Sequence, residues 1–510
     1  MISGVPVDAI HQSAGEHAPV VLALDIGTSS SRAALFDSFG NEIAGREARA
    51  ERTLSTTLDG GAELNADEEV EQVARVVDAV LAGAPSISAS IEMVAVACFW
   101  HSLVGIDGEG RAVTPVFGWA DTRAASAVEE LRRQFDEPLM HARTGCRFHA
   151  SYWPARLRWL QQEHSSLYRV VHQWMSFGEF LALRFFGETP TSVSMASGTG
   201  LLDERLCVWD DELLAWLGIG AGQLPAIAEE GKTFNGLRAE YARRWPRLRE
   251  TRWFPAIGDG AANNIGAGCV TPERAALMIG TSGAMRVLSE DEPPAALPSA
   301  LWCYRADRRR IVIGGALSDG GGLYHWMRDT LALSGNREEV ERALTSIEPD
   351  AHGLTILPFW AGERSTGWTG AARGTITGLT MHTRAIEILR AAMEAVAYRF
   401  ALIADTLRPF FAPDGAKIVA SGGALSASPL WAQMLADVMN RPITLSGMRE
   451  SSSRGAALLA LEAAGKIKSI ACVVAPLEQT YEPDMTRHAR YRIGLERQQK
   501  VYEKLVDSRQ

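Results

Sequence analysis

The chain has 510 residues, 46% hydrophobic and 22% charged, which is enough to bury a large core and to divide into two or more domains. Its 61 acidic and 51 basic residues give a formal net charge of −10, a field that repels nucleic acid and anionic membranes, so any phosphate site needs local positive potential. The six cysteines form no C-x-x-C pair, and no segment reaches about 18 uninterrupted apolar residues, which excludes a motif-type zinc or dithiol site and favours a cytoplasmic enzyme with reduced thiols.

Residues 1–19 lack a cationic start and an apolar stretch, and are expected to be an N-terminal extension. Val20 to Leu24 is an apolar run ending in Asp25-Ile-Gly-Thr-Ser-Ser-Ser31. Ala33 to Phe36 is apolar again and Asp37 to Asn41 is turn-like, so the pattern predicts strand, polar turn, strand, turn, strand. Asp67 to Leu81 has helical periodicity with Asn65 or Asp67 as its cap, and Met93 to Phe99 reads as a buried strand. After Trp253-Phe254-Pro255 a second set begins. Gly258-Asp259-Gly260 opens a small-residue helix, and Leu277 to Ile279, a Gly280-Thr-Ser-Gly283 turn and Ala284 to Leu288 repeat the N-terminal strand-turn-strand. Ile418 to Ala424 is a strand entering a glycine turn before a helix from about Pro429 to Val438. Strands alternating with amphipathic helices, with one motif occurring twice, predict an α/β fold of duplicated domains facing a cleft.

The Asp25 turn places a carboxylate, a glycine and four hydroxyl residues at a strand end, a composition suited to phosphate oxygens and hydrated Mg²⁺, or simply to a hairpin whose hydroxyls bond their own backbone. Its second copy at Gly280 to Gly283 favours the first reading. Gly422-Gly423 suits a nucleotide lying against bare backbone or tight strand-helix packing. Ala226 to Thr233 approaches a P-loop but lacks the first glycine and carries Glu229-Glu230, so it is set aside.

Leu-Ala-Leu-Asp25-Ile-Gly-Thr-Ser-Ser, Gly258-Asp259-Gly-Ala-Ala-Asn-Asn, Ile-Gly280-Thr-Ser-Gly and Ser-Gly422-Gly-Ala, in this order, resemble the FGGY family of carbohydrate kinases over roughly residues 20 to 465. Trp100-His101-Ser-Leu, Gly118-Trp-Ala-Asp121-Thr-Arg123, Met195-Ala-Ser-Gly-Thr-Gly200 and Leu357 to Arg364 are similar to its gluconokinase branch. The resemblance implies two actin-like (ribonuclease H-like) domains, a sugar-binding one at 20–254 and a nucleotide-binding one at 255–490, followed by a tail at 491–510. It implies ATP and Mg²⁺, with Asp25 holding the metal through water and Gly27, Thr28, Ser29 and Arg32 lining the transferring phosphate. Gly280, Thr281 and Gly283 would hold its other side, Gly422 and Gly423 would lie near adenosine, and Asp259 would be the catalytic base, a role that phosphoryl transfer to a hydroxyl requires and that competes with a plain helix N-cap. Trp100, His101, Asp121, Arg123 and Arg147 would face the sugar.

A gluconate carboxylate in this acidic protein needs cationic or N–H partners, for which Arg123, Arg147, His101 and His149 are the candidates; surface ion pairs and structural histidines are the alternative. Trp100 could instead fill the core, and Asp121 with Arg123 could form a local ion pair. The expected activity is gluconate phosphorylation. Xylulose or another polyol is the alternative substrate, and an ATP-driven binding switch is the alternative of another class. The expected partners are small molecules, a sugar or aldonate and ATP, and a homodimer is compatible with this reading.

Overall fold

A computed structural model describes residues 20–83 and 90–506, so the expected N-terminal extension and the last four residues of the tail lie outside the described residues. In the first sheet β1 (Val20–Ile26) is antiparallel to β2 (Ser30–Phe36), which is antiparallel to β3 (Glu42–Glu51). On its other side β1 is parallel to β4 (Ile91–Cys98), and β4 is parallel to the short β5 (Arg252–Trp253) and β6 (Ile257–Gly258). Every residue of β1 is buried, as its unbroken apolar run requires of a strand covered on both faces. Helix α1 (Ala66–Gly83) buries Val70, Val73, Val77 and Val80; Asn65 is its cap, its Oδ1 accepting from the Asp67 and Glu68 amides at 3.1 and 3.2 Å. Helix α2 (Asp259–Gly266) follows β6 directly.

The second sheet repeats the pattern. Strand β7 (Arg274–Ile279) is antiparallel to β8 (Gly283–Ser289), β9 (Trp302–Arg305) flanks β10 (Ile311–Leu317), and β11 (Lys417–Ser421) leads to β12 (Ile443–Ser446) and β13 (Leu477–Tyr481), in the order β9-β10-β8-β7-β11-β12-β13. The hairpins close at Ile26↔Ser31 and Ile279↔Gly283; each has a parallel strand beside its first arm and an antiparallel strand beside its second. The chain is thus two lobes with one α/β plan used twice, as the repeated motif predicts.

Helices α3 (Ala385–Leu407) and α4 (Pro429–Met439) share a core with β7, β8 and β11. Helix α5 (Ser451–Ala463) does not: its Ala456, Ala457, Leu458 and Leu461 pack into the core of β1 and β4. Ile257–Gly258 likewise still pair in the first sheet, just beyond residue 254, so the lobes share chain segments. Helices α2 and α5 cross at glycine contacts. A Cβ on Gly266 would lie 1.7 Å from the Ser451 carbonyl oxygen, and one on Gly455 would lie 1.8 Å from that of Ala262. The charged stretch at the end of the chain is helix α6 (Met485–Leu505), anchored on the second lobe by the Arg390 hydrogen bond to Tyr491 Oη (2.6 Å) and by the Arg497–Asp350 pair. Among the described residues, no helix is long and apolar enough to cross a membrane.

Candidate active site

Asp25 sits near the end of β1, in register with Arg32 on β2. Arg32 Nη1 lies 3.7 Å from Asp25 Oδ2 and 2.8 Å from Glu450 Oε2. Burial pushes the Asp25 carboxyl up to about 7; Arg32 opposes this, while Asp259 and Glu450 add to it. A carboxylate this short of positive charge fits a divalent cation held near it. The Gly27 amide closes the turn on Ser30 O at 3.0 Å, and Thr28 Oγ1 accepts from Trp119 Nε1 at 3.1 Å, joining the phosphate turn to the expected sugar loop.

The raised value is also a stability statement. Because the folded pKa lies above the ordinary aspartate value of 3.8, Asp25 contributes fully to stability below about pH 4, and that contribution is lost as pH rises through about 7. Without nucleotide or Mg²⁺, Asp25→Asn should therefore match the parent near pH 4 and exceed it at pH 8, by on the order of 2–4 kcal/mol. Urea unfolding at both pH values checks this, and equal stability at pH 8 refutes it.

Across the cleft the Gly280 amide closes its turn on Ser282 O (3.0 Å). Gly321 and Gly322 donate to the Gly280 and Thr281 carbonyls at 2.7 and 3.0 Å. Gly422 has φ 105°, and a Cβ there would lie 2.3 Å from Ile279 O, so only glycine lets β11 turn against the end of β7. Gly423 faces open space. Asp319, whose carboxyl burial pushes up to about 6, heads the Asp319-Gly-Gly-Gly322 segment over this turn. The sequence reading passed over this segment, although an apolar strand running into three glycines was there to be found.

Asp259 is the first residue of α2, with Gly258 in the cap position, so it is not the helix N-cap. Its Oδ1 accepts from the Gly260 amide at 2.8 Å, and the Trp100 backbone amide also reaches the carboxylate. Burial raises its pKa, and Arg286 is the strongest opposing influence. The Trp100 indole lies against both flanking glycines: a Cβ would come within 1.8 Å of the ring at Gly258 and 2.5 Å at Gly260. Its Nε1 donates to Ser194 O at 2.8 Å. Trp100 is thus 5% exposed, its ring holding the Asp259 loop, which corresponds to the core-filling reading. Arg286, on β8, is buried beside Gly260, with no hydrogen-bond partner for Nε or Nη1 among the described residues. Burial pushes this guanidinium down to about 10, and the Asp259 carboxylate holds it up.

His101 has φ 67°, a left-handed backbone uncommon for residues other than glycine. Its Nδ1 donates to Gly198 O, so Nε2 is an acceptor; Arg364 Nη2 lies 3.4 Å from it. Burial and Arg364 hold His101 well below the usual histidine range, and burial takes His149 down to about 3, so both rings are neutral. Asp121 and Arg123 pair with each other, Arg123 also reaching Glu63, and Asp121 Oδ2 accepts from the Ala62 amide at 3.2 Å, which is the local ion-pair alternative. Arg147 Nε and Nη2 bind Glu137 at 2.8 and 2.9 Å, so its charge is already paired, as the ion-pair alternative expects. All four expected carboxylate partners are thus neutral or already paired. Arg156 is buried and donates to the His101 and Gly118 carbonyls, positioning both sugar-side loops.

Family models for the N-terminal and C-terminal domains of the FGGY family of carbohydrate kinases match residues 20–266 and 275–464. A gluconokinase of Bacillus subtilis (strain 168) is 28% identical over 475 residues, covering 90% of this chain and 91% of that protein. The structure of a gluconate kinase from Lactobacillus acidophilus superposes with a TM-score of 0.86 at 26% identity, covering 96% of this chain and 98% of that one; a xylulose kinase structure from the same organism gives the same figures. Glycerol and xylulose kinases also match at similar identity. With both family models in chain order over most of its length, and a carboxylate at a helix start between two glycine turns, the chain belongs to the FGGY family of carbohydrate kinases, phosphotransferases with an alcohol acceptor.

Proposed function

We propose that this chain transfers the γ-phosphoryl group of ATP to the terminal hydroxyl of gluconate, forming 6-phosphogluconate and ADP. The observation that carries the substrate choice is a buried guanidinium in the cleft, Arg364, which forms no ion pair among the described residues, whereas Arg286 is matched by Asp259. Such a cleft favours an anionic polyol over xylulose or glycerol. The gluconokinase relatives support the same reading.

Asp259 accepts the proton of the attacking hydroxyl, whose oxygen bonds to the γ-phosphorus as the bond to the ADP oxygen breaks. Arg286 opposes the burial that would keep Asp259 protonated. Gly27, Thr28, Ser29 and Arg32 on one lobe, and Gly280, Thr281 and Gly283 on the other, bracket the phosphates, with Gly422 and Gly423 on the adenosine side. Asp25 would hold Mg²⁺, through water, and the ion would supply positive charge to the phosphate oxygens.

A coupled ADP-release assay at fixed Mg-ATP over gluconate, xylulose and glycerol tests the reading. The expected result is the highest kcat/KM for gluconate. A clear preference for xylulose with gluconate inactive would move the chain to the ketose branch, and ATP turnover indifferent to any sugar would point to a switch.

A further inference from the structure

The fate of the buried arginines separates two of them from the rest. Arg305 bonds the Glu204 carbonyl, Arg310 pairs with Glu462, Arg390 with Glu394 and Arg399 with Glu363; Arg156 and Arg454 donate to two or more backbone carbonyls each, although the Arg156 Nε has no partner among the described residues. Arg286 is matched by the field of Asp259. Arg364 feels the same carboxylate more weakly and forms no ion pair with it. It is 8% exposed, has no ion pair among the described residues, and its Nε has no hydrogen-bond partner there. Its neighbours are neutral: His101 Nε2 at 3.4 Å, the Tyr152 hydroxyl, and the rings of Trp119 and Trp368, 5.6 and 5.9 Å from its guanidinium carbon. Stacking on two indoles orients the guanidinium without neutralising it. A buried cation held without a counter-ion is costly for a protein to maintain, and an anionic ligand relieves that cost.

Resting on the gluconate reading, we infer that Arg364 is the seat of the substrate carboxylate, with His101 Nε2 accepting a hydroxyl hydrogen beside it. Asp259 marks the reacting hydroxyl and Arg364 the anionic end, so the polyol lies between them and is phosphorylated at the hydroxyl remote from the carboxylate. Arg364 lies on the loop whose Ser365 amide bonds Ala316 O of β10, in the second lobe, whereas His101 belongs to the first. The carboxylate therefore links the two lobes, and an acidic substrate draws them together where a neutral one does not.

The test compares gluconate with gluconamide, its neutral isostere, in the parent enzyme, Arg364→Gln and Arg364→Lys, by kcat/KM at saturating Mg-ATP. Thermal unfolding of each variant confirms that it is folded. The parent is expected to prefer gluconate strongly. Arg364→Gln should lower kcat/KM for gluconate roughly a hundredfold and for gluconamide far less, with Arg364→Lys recovering part of the preference. Equal losses on both compounds, or a parent that treats them alike while turning over gluconate, would overturn the seat and leave the gluconate reading standing. A parent that phosphorylates only a neutral ketose would overturn both.

Discussion

Asp259→Asn is expected to lower turnover by roughly 10²-fold or more while the protein folds and binds nucleotide as before. Asparagine keeps the side-chain volume and can still accept the Gly260 amide hydrogen bond, so the start of α2 is preserved and only the proton acceptor is lost. The aspartate's raised pKa, opposed by Arg286, also gives the parent an acid limb in kcat/KM that the variant lacks. Steady-state turnover across pH, with calorimetric nucleotide binding as control, checks this. Near-native turnover by a folded variant would place the proton acceptor elsewhere.

A large loss of stability is expected when Gly455 is replaced by alanine. An added methyl would sit 1.8 Å from the Ala262 carbonyl oxygen, a contact with backbone that no rotamer change relieves, so α2 and α5 must separate. Overpacking of this kind costs about 3 kcal/mol or more. Because Asp259 opens α2, the same separation should also lower kcat/KM. Gly108→Ala, whose methyl meets nothing within 4 Å, is the matched control. Thermal unfolding and turnover of both variants test this; equal behaviour would mean that the helix pair tolerates spreading.

Much of the scaffold was legible because it depends on local pattern. The two hairpins show as apolar runs broken by Gly-Thr-Ser, and a strand buried on both faces needs little besides its own residues to be recognised. The place of Asp259 at a helix start between glycines was legible as well, since that is a short-range feature. The arginines were not. Arg286 is the lone charge in Ala284-Met-Arg-Val-Leu-Ser289, where alternation sets it beside Ala284 and Leu288 and gives no sign of what it faces, and Arg147 looked free because its partner Glu137 is brought in by the fold. Whether a charge is spent depends on tertiary neighbours, so substrate-side cations cannot be separated from structural ones by residue type. The helix at residues 451–463 is not among the elements expected from the sequence, and nothing local there shows that it serves the first sheet.

That allegiance of α5 bears on the order in which the molecule can be made. A ribosome finishes β1 to β4 long before it reaches Ser451, and until then the face of β1 and β4 that receives Ala456, Ala457, Leu458 and Leu461 has no cover of its own. The first lobe therefore cannot mature ahead of the second, as independent N-terminal domains do during synthesis. Nascent chains must carry an open apolar face through most of their elongation, and fragments that end before residue 451 keep it permanently.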